Sequence, residues 1–187
     1  GDFDGKTRFV FDEVKDQNLK STTPANNPLM SGDFTIFIAS NYTTDITPSQ
    51  ESVFGLEPIG AGQGQIQLGQ RDQGTFKAEV SDGANSITAV VDIATFAETE
   101  DNIISYKLNA DTLTLYLNGR AGTPVTEAAF NATTKFAFCN WYIGGLPTIA
   151  TSFFDGSVAE VIVYDRALSD AERNKVEDYL NKKYRIY

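Results

Sequence analysis

Short apolar segments separated by turn residues run along most of the chain, and this spacing predicts a protein built mainly of β-strands. The clearest pair alternates apolar and polar residues over Ile104–Leu108 and again over Leu113–Leu117, with Asn109–Asp111 as the turn between them. Phe34–Ser40 is apolar on both faces, which is typical of a central strand covered on two sides. The same reasoning predicts further strands at Thr7–Val14, Ser52–Leu56, Gln65–Gln70, Thr75–Val80, Ser86–Ile93, Lys135–Tyr142 and Ser157–Tyr164.

About ten strands at hairpin spacing, without alternating helices, favour an antiparallel β-sandwich over a parallel sheet. The polar segments Gln17–Ser31 and Asn41–Gln50 are predicted to be loops. One helix is predicted at about residues 169–183, because Ser169 and Glu172 have the spacing of a capping box. The stripe predicted to pack on the sandwich consists of Leu168, Ala171, Val176, Tyr179, Leu180 and Lys183.

Composition narrows the chemistry that this chain can perform. There is no histidine, so the side chain most often used as a general base or zinc ligand is missing. The single cysteine, Cys139, lies close to Phe136, Phe138 and Trp141 in the sequence, and we expect it to be a buried core residue. The net charge of −10 makes nucleic acid and anionic lipid poor partners, and no apolar run is long enough for membrane insertion.

Several short motifs stand in the order in which one known family has them. Phe153–Gly156 precedes a hydrophobic strand, and Asp165–Arg173 then leads into the helix through an Arg-Ala-Leu-Ser sequence. Leu115–Gly119 has the pattern of a hairpin, Tyr142–Gly145 that of a strand end and Phe3–Gly5 that of an opening strand. Together these motifs resemble the laminin-G-like, concanavalin A-like jelly-roll domains of the lectin/glucanase superfamily, in their bacterial or bacteriophage type.

The resemblance implies an all-β fold: an antiparallel β-sandwich jelly roll, concanavalin A-like, with one C-terminal α-helix. It also implies that residues 1–187 form a single laminin-G-like domain. Lectins, glucanases, adhesion domains and virion fibre modules share this fold, so function has to be argued from a site.

Catalysis is disfavoured by the distribution of acidic residues. The glucanases of this superfamily use a Glu-x-Asp-x-Glu strand, and the nearest match here, Glu98–Asp101, lies in a predicted loop and lacks the third acid. Without histidine, Ser–His–Asp and Cys–His mechanisms are impossible from this chain alone. We therefore predict no catalytic residues and no enzymatic activity.

Glycan recognition requires an aromatic platform and planar polar groups, carried by loops at the rim of the sandwich. Tyr42 is expected to be exposed in the loop after the central strand, whereas Trp141 could equally fill the core between the sheets. The candidate ligand-binding residues are Asn41, Tyr42, Arg71, Asp72, Asn140, Trp141 and Tyr142.

The sequence requires no cofactor, and calcium is the metal that its loop aspartates could bind. The resemblance supports this hypothesis, since many laminin-G-like relatives carry calcium. The candidate ligands are Asp2, Asp4 and Asp155, near two Asp-Gly turns, and ordinary turn aspartates are the alternative.

These observations predict a non-enzymatic, lectin-like module that binds a glycan or cell-surface receptor. It would belong to a larger secreted or virion protein and act outside the cell or at the virion surface. The alternative is a structural, decorating or protein-interaction domain of a bacteriophage particle, whose partners would be other virion proteins and which would have no sugar site.

Overall fold

The computed structural model describes thirteen strands and one long helix. The described part of the chain comprises residues 3–11, 18–21, 32–43, 52–59, 62–72, 75–92, 100–133, 135–136, 139–147 and 153–187. The strands are β1 (Phe9–Phe11), β2 (Leu19–Lys20), β3 (Phe34–Tyr42), β4 (Phe54–Pro58), β5 (Gln65–Asp72), β6 (Thr75–Ser81), β7 (Ser86–Asp92), β8 (Asn102–Asn109), β9 (Thr112–Leu117), β10 (Arg120–Ala121), β11 (Val125–Thr126), β12 (Cys139–Ile143) and β13 (Gly156–Tyr164). The helix is α1 (Asp170–Tyr184).

The strands form two antiparallel sheets, which confirms the predicted sandwich. The first sheet has the order β1-β13-β3-β8-β9-β10, with β11 also paired to β9. The second sheet has the order β2-β12-β4-β5-β6-β7. Consecutive strands such as β5, β6 and β7 are neighbours, while β12 and β13 return from the end of the chain into separate sheets.

The longer predicted strands are present, and the differences lie at their ends and in the shortest strands. Asn41 and Tyr42 continue β3, where the sequence predicted a loop, and β12 begins at Cys139. Phe3–Gly5 forms a turn of 3-10 helix, where the family resemblance implied a strand. The two-residue strands β2, β10 and β11 were not predicted, because a segment this short has no periodicity of its own and is ordered by its neighbour.

The central strand β3 is buried along its whole length, as its two-sided apolar pattern predicts. Phe34, Ile36 and Ile38 point into the core between the sheets, whereas Phe37 and Ala39 belong to a second cluster beneath α1. Each fully buried large side chain contributes about 1.5–3 kcal/mol, so both faces of β3 stabilise the fold. The first sheet is therefore covered on both sides.

The helix begins where the capping box predicts. Glu172 N donates to Ser169 Oγ at 3.3 Å, and Ser169 N donates to Glu172 Oε2 at 2.9 Å. Arg166 also donates to both carboxylate oxygens of Glu172, at 3.1 and 2.8 Å, which fixes the turn between β13 and α1. A Ser-x-x-Glu spacing was therefore a sufficient signal for this boundary.

The predicted apolar stripe packs on the first sheet only in part: Leu168, Val176 and Leu180 belong to the second cluster. The helix buries Arg173, Glu177, Leu180 and Tyr184, while Ala171, Tyr179 and Lys183 are exposed. The physical reason is an internal ion pair: Arg173 Nη1 donates to Glu177 Oε2 at 2.5 Å, and the Arg173 guanidinium lies 4.0 Å from the Tyr116 ring centroid. Ser105 Oγ donates to the other oxygen of Glu177.

Candidate functional site

The outer face of the second sheet carries rows of polar side chains, because the apolar residues of the same strands point inward. Register places Tyr142 opposite Gly55, Gly55 opposite Gln67, and Gln67 opposite Glu79. The inward neighbours Leu56, Ile66 and Val80 belong to the core. The outward row is completed by Lys20 at one end and Thr88 at the other.

One half of this outer face is covered by the chain that follows β12. Leu146 is fully buried and lies directly over Gly55, so close that a Cβ at position 55 would come within 2.3 Å of Leu146 Cδ2. Tyr142, Glu57 and Gln67 are buried beside it. Leu146 therefore forms a wall over Gly55 on the β4–β12 half of the face.

The β5–β7 half of the face is exposed, and we call it the open face. It consists of Gln65, Lys77, Glu79, Ser81, Ser86, Thr88 and Val90. Lys77 Nζ lies 3.6 Å from Glu79 Oε2, so the two charges partly compensate each other. Amide, hydroxyl and charged groups next to a wall provide several donors and acceptors on a rigid sheet, which is what a polar ligand needs.

Two predicted binding residues lie on this outer face, on its covered half. Asn140 is half-buried and faces Glu57 across the β12–β4 pair. Tyr142 is buried, and Lys20 Nζ lies 5.7 Å from its ring centroid. Arg71 and Asp72 end β5, and their side chains lie outside the described residues.

The prediction that Tyr42 is an exposed sugar platform is wrong. Its side chain is 1% exposed, and its hydroxyl donates to Gly69 O at 2.7 Å. Its ring packs edge-on against Phe76 and Phe154, with centroids 5.1 and 4.9 Å apart. Tyr42 belongs to the core between the sheets, and its neighbour Asn41 is also buried.

Trp141 also faces the core, which supports the alternative interpretation of this residue. Its register partner Leu56 is fully buried, and its ring packs edge-on against Phe54 at 5.5 Å. The indole is only partly buried, because β12 lies near the edge of the sheet. A tryptophan in this orientation cannot present its ring to a sugar on the outer face.

The described residues do not form a calcium site. Asp155 accepts a hydrogen bond from the Thr43 hydroxyl, and among the described residues no three acidic, histidine or cysteine side chains converge. Asp2 lies outside the described residues, and Asp4 lies in the 3-10 turn with its side chain outside them. A calcium ion requires several carboxylate or carbonyl oxygens, so Asp155 alone does not fit it.

The strands of the second sheet also lack the carboxylate pair of a retaining glycosidase. β4, β5, β6 and β7 each contain one acidic residue, and β12 contains none, so no strand places two carboxylates at alternate positions. Asp101, the nearest sequence match to a catalytic acid, accepts the backbone N–H of Phe3 at 2.7 Å. That bond gives Asp101 a structural role at the start of β8.

A second polar concavity lies at one rim of the sandwich, and we call it the rim pocket. Its volume is about 260 Å³. The β8–β9 turn, the residues before β3 and the loop after β11 form its walls, and sequence analysis did not single it out. The residues that line it include Asp33, Asp111, Phe130, Asn131 and Thr133.

The loop of the rim pocket is fixed by Asp82, in the β6–β7 turn. Its carboxylate accepts the backbone N–H groups of Asn85, Ala84 and Asn131 at 2.7, 2.8 and 2.9 Å. Burial alone would raise the pKa of Asp82, but these bonds and the Asn85 amide outweigh it and lower the pKa to about 2. The carboxylate is therefore ionised at neutral pH and ties the β6–β7 turn to residue 131.

A family model described as the concanavalin A-like lectin/glucanases superfamily matches residues 15–172. A search of curated proteins returned no match. Within the described residues, no helix has the length and apolar character needed to cross a bilayer.

Three solved structures illustrate the likeness in fold. The NanB sialidase from Streptococcus pneumoniae is similar over 89% of this chain and 26% of its own, at 15% identity and a TM-score of 0.69. The Ruminococcus gnavus IT-sialidase CBM40 bound to α2,3-sialyllactose is similar over 86% of this chain and 96% of its own, at 19% identity and a TM-score of 0.64. The heptameric SAP-like pentraxin from Limulus polyphemus is similar over 86% of this chain and 75% of its own, at 11% identity and a TM-score of 0.62.

Proposed function

We propose that this chain, which belongs to the concanavalin A-like lectin/glucanases superfamily, is a non-enzymatic module that binds glycans. The observation that carries the proposal is the open face, where polar side chains of three strands lie beside the wall formed by Leu146. The likeness to a sialidase CBM40 carbohydrate-binding module, which was solved with sialyllactose, supports a carbohydrate as the ligand.

The open face suits recognition by hydrogen bonds along the sheet. Gln65 and Thr88 provide an amide and a hydroxyl, and Lys77 and Glu79 provide a donor and an acceptor. The sheet holds these groups at fixed spacing, so little conformational freedom is lost when a ligand binds. No aromatic platform stands among the described residues of the open face, and we therefore expect weak binding at a single site.

The proposed context is a larger secreted or virion protein that carries this module beside other domains. The chain corresponds to 26% of the length of the similar pneumococcal sialidase, where the remaining length belongs to other parts of that protein. Several copies on one particle or chain would raise the effective affinity of weak individual sites. A module of this kind attaches its parent protein to glycans and leaves the chemistry to neighbouring domains.

A glycan array probed with a streptavidin-bound tetramer of this chain tests the proposal. We expect retention on a defined subset of neutral or sialylated glycans, and loss of that retention in the Gln65→Ala and Lys77→Ala variants. Asp178→Ala, on the exposed side of α1, is the matched control and should bind as the unmodified chain does. An empty array, or binding unchanged in both open-face variants, would contradict the proposal.

The absence of catalysis is tested separately with the isolated chain. Incubation with soluble polysaccharides and with sialyllactose should release no sugar, since no strand of the second sheet carries two alternate carboxylates. Release of reducing sugar or of free sialic acid would show that this chain is an enzyme.

The second candidate function is protein interaction within a bacteriophage particle. It is favoured by the edge strand β1, where Phe9 and Val10 are 59% and 67% exposed. An edge strand with exposed apolar side chains can pair with a strand of another chain. An empty glycan array, together with self-association or partner binding that Val10→Lys abolishes, would favour this function.

A further inference from the structure

Two Asn-x-Thr triplets in the chain have the sequence that an oligosaccharyltransferase recognises, and the fold places them in opposite environments. They are Asn41-Tyr42-Thr43 and Asn131-Ala132-Thr133. The attached glycan is bulky and hydrophilic, so a modified asparagine has to lie on the surface of the folded protein. Since both triplets meet the sequence requirement, the fold decides which of them can carry a glycan.

The first triplet is built into the central strand β3. Asn41 is 8% exposed, and a Cβ at Gly156 of the neighbouring strand β13 would lie 2.1 Å from Asn41 O. Tyr42 belongs to the core between the sheets, and the Thr43 hydroxyl donates to the Asp155 carboxylate. A glycan on Asn41 would therefore have to separate β3 from its surroundings.

The second triplet lies in the loop after β11, where buried and exposed side chains alternate. Phe130 and Ala132 are each 5% exposed and belong to the core, whereas Asn131 and Thr133 are exposed. The asparagine and threonine that the transferase recognises thus both lie on the surface, while their neighbours anchor the loop. This arrangement leaves room for a large attached group.

The side-chain amide of Asn131 is held through its oxygen. Asn131 Oδ1 accepts the Thr133 N–H at 3.0 Å, which closes a turn across the triplet. The backbone N–H of Asn131 donates to Asp82 Oδ2 at 2.9 Å. Among the described residues, none accepts a hydrogen bond from Asn131 Nδ2, the atom to which a glycan is attached.

Glycan attachment is compatible with the contacts that hold this loop. An N-linked asparagine keeps its carbonyl oxygen, so Oδ1 can still accept the Thr133 N–H. The bond from the Asn131 backbone to Asp82 does not involve the side chain and is also kept. The modified chain should therefore fold as the unmodified chain does.

We propose that Asn131 is the N-glycosylation site of this chain when it is secreted through a membrane that carries an oligosaccharyltransferase, and that Asn41 carries no glycan. The donor is an oligosaccharide linked to a polyprenyl pyrophosphate. Asn131 Nδ2 forms a bond to C1 of the first sugar and loses one proton, while the C1–O bond to the pyrophosphate breaks. The lipid pyrophosphate leaves with the bonding electrons, so no group is oxidised or reduced.

Secretion of the full chain from cultured mammalian cells, behind a secretion signal, tests the inference. The secreted chain should migrate more slowly in gel electrophoresis than the same chain made in the bacterial cytoplasm. A peptide N-glycosidase should remove this difference. In heavy-oxygen water the enzyme leaves a labelled aspartate, which mass spectrometry should find at position 131 and not at position 41.

A matched pair of variants locates the modification. Thr133→Val removes the hydroxyl that the transferase requires and should abolish the mobility shift. Thr43→Val makes the same change in the first triplet and should leave the shift unchanged. Thr133→Ser keeps a hydroxyl and should retain the glycan, which shows that the loss in Thr133→Val comes from the triplet and not from misfolding.

Synthetic peptides separate the effect of the fold from that of the local sequence. Peptides of residues 38–46 and 128–136 contain one triplet each and no folded surroundings. A purified oligosaccharyltransferase should glycosylate both peptides, since both contain the recognised triplet. Rejection of the first peptide would show that local sequence, rather than burial in β3, excludes Asn41, and would overturn this reasoning.

The outcomes also separate this inference from the proposed function, from which it takes only the secreted context. It is overturned if the secreted chain carries no glycan, if Asn41 is occupied in it, or if Thr133→Val keeps the shift. An empty glycan array together with an occupied Asn131 would overturn only the proposed glycan binding. Array binding by a secreted chain that carries no glycan would overturn only the inference about Asn131.

Discussion

Removing the carboxylate of Glu177 tests how α1 is held on the first sheet. Glu177 is 2% exposed and Arg173 is 6% exposed, with Arg173 Nη1 2.5 Å from Glu177 Oε2. The guanidinium also packs on the Tyr116 ring at 4.0 Å, and Ser105 donates to the second carboxylate oxygen. In Glu177→Ala, the hydroxyl would lose this acceptor and the buried guanidinium would lose its carboxylate partner, keeping the Asn174 side chain 2.7 Å from Nη2 and the exposed Asp170 4.0 Å from Nε.

The expected loss in the free energy of unfolding is about 3–5 kcal/mol, the range for breaking a buried ion pair by removing one partner. Most of this cost comes from leaving Arg173 charged in a site that water does not reach freely. A domain of this size is stable by about 5–15 kcal/mol, so the variant should remain folded but clearly weakened. Glu177→Gln keeps an acceptor and should lose less.

Urea unfolding followed by circular dichroism measures this loss. Glu79→Ala is the matched control, because Glu79 pairs with Lys77 at 3.6 Å at a partly exposed position, and it should change stability by less than about 1 kcal/mol. Replacing both partners, Arg173→Met with Glu177→Leu, should recover most of the lost stability. A loss below about 1 kcal/mol in Glu177→Ala, or a double variant as weak as the single one, would refute this reasoning.

Three further predictions concern single positions. The hydrogen bonds to Asp82 lower its pKa from an ordinary value of 3.8 to about 2, so its carboxylate stabilises the fold above about pH 4 and this contribution is lost as pH falls towards 2. Asp82→Asn should remove about 1–2 kcal/mol at pH 7 and flatten the acid part of the stability profile, and an unchanged profile would contradict this. Burial raises the pKa of Cys139 to about 11, so a thiol reagent should label it at pH 8 only as fast as the protein opens, and rapid labelling in the native state would contradict this. Gly55→Ala should cost about 1–3 kcal/mol by displacing Leu146, whereas Gly32→Ala, which meets no atom within 4 Å, should be nearly neutral, and equal effects in calorimetry would contradict this.

The parts of the fold that could be predicted from sequence are those that depend on local pattern. Alternating residues over 104–117 determined which side chains of β8 and β9 face the core. The two-sided pattern of β3 predicted that this strand is covered on both faces, and the structure shows the second sheet on one face and α1 on the other. The Ser169–Glu172 spacing fixed the start of α1, because the capping hydrogen bonds are made within one turn of the chain.

Predictions from the hydrophobic pattern were wrong where a partner distant in sequence determines the orientation of a side chain. Hydrophobic periodicity predicted Tyr179 on the packed face of α1, but the helix turns Arg173 and Glu177 inward. These two side chains pair with each other, and the first sheet adds the Tyr116 ring and the Ser105 hydroxyl as further partners. The spacing of apolar residues along α1 cannot predict that these two charged side chains are buried. The same limit applies to Tyr42, whose acceptor, Gly69 O, lies at a bulge in the other sheet.

The open face and the rim pocket differ in how much of their composition the sequence could have predicted. The open face follows from the alternation of β5, β6 and β7, once the strands are known to be neighbours, so an alternating polar register already marks it. The wall beside it depends on Gly55, where a residue without a Cβ at an outward position lets Leu146 approach the sheet. A glycine flanked by two inward core residues is therefore a sequence signal that another segment covers the outer face at that point.

The rim pocket has no such signal, since Asp33, Asp111 and Asn131 look like ordinary turn residues until the topology brings three loops together. A surface made by one strand register can be predicted from sequence, whereas a concavity made by converging loops requires the structure.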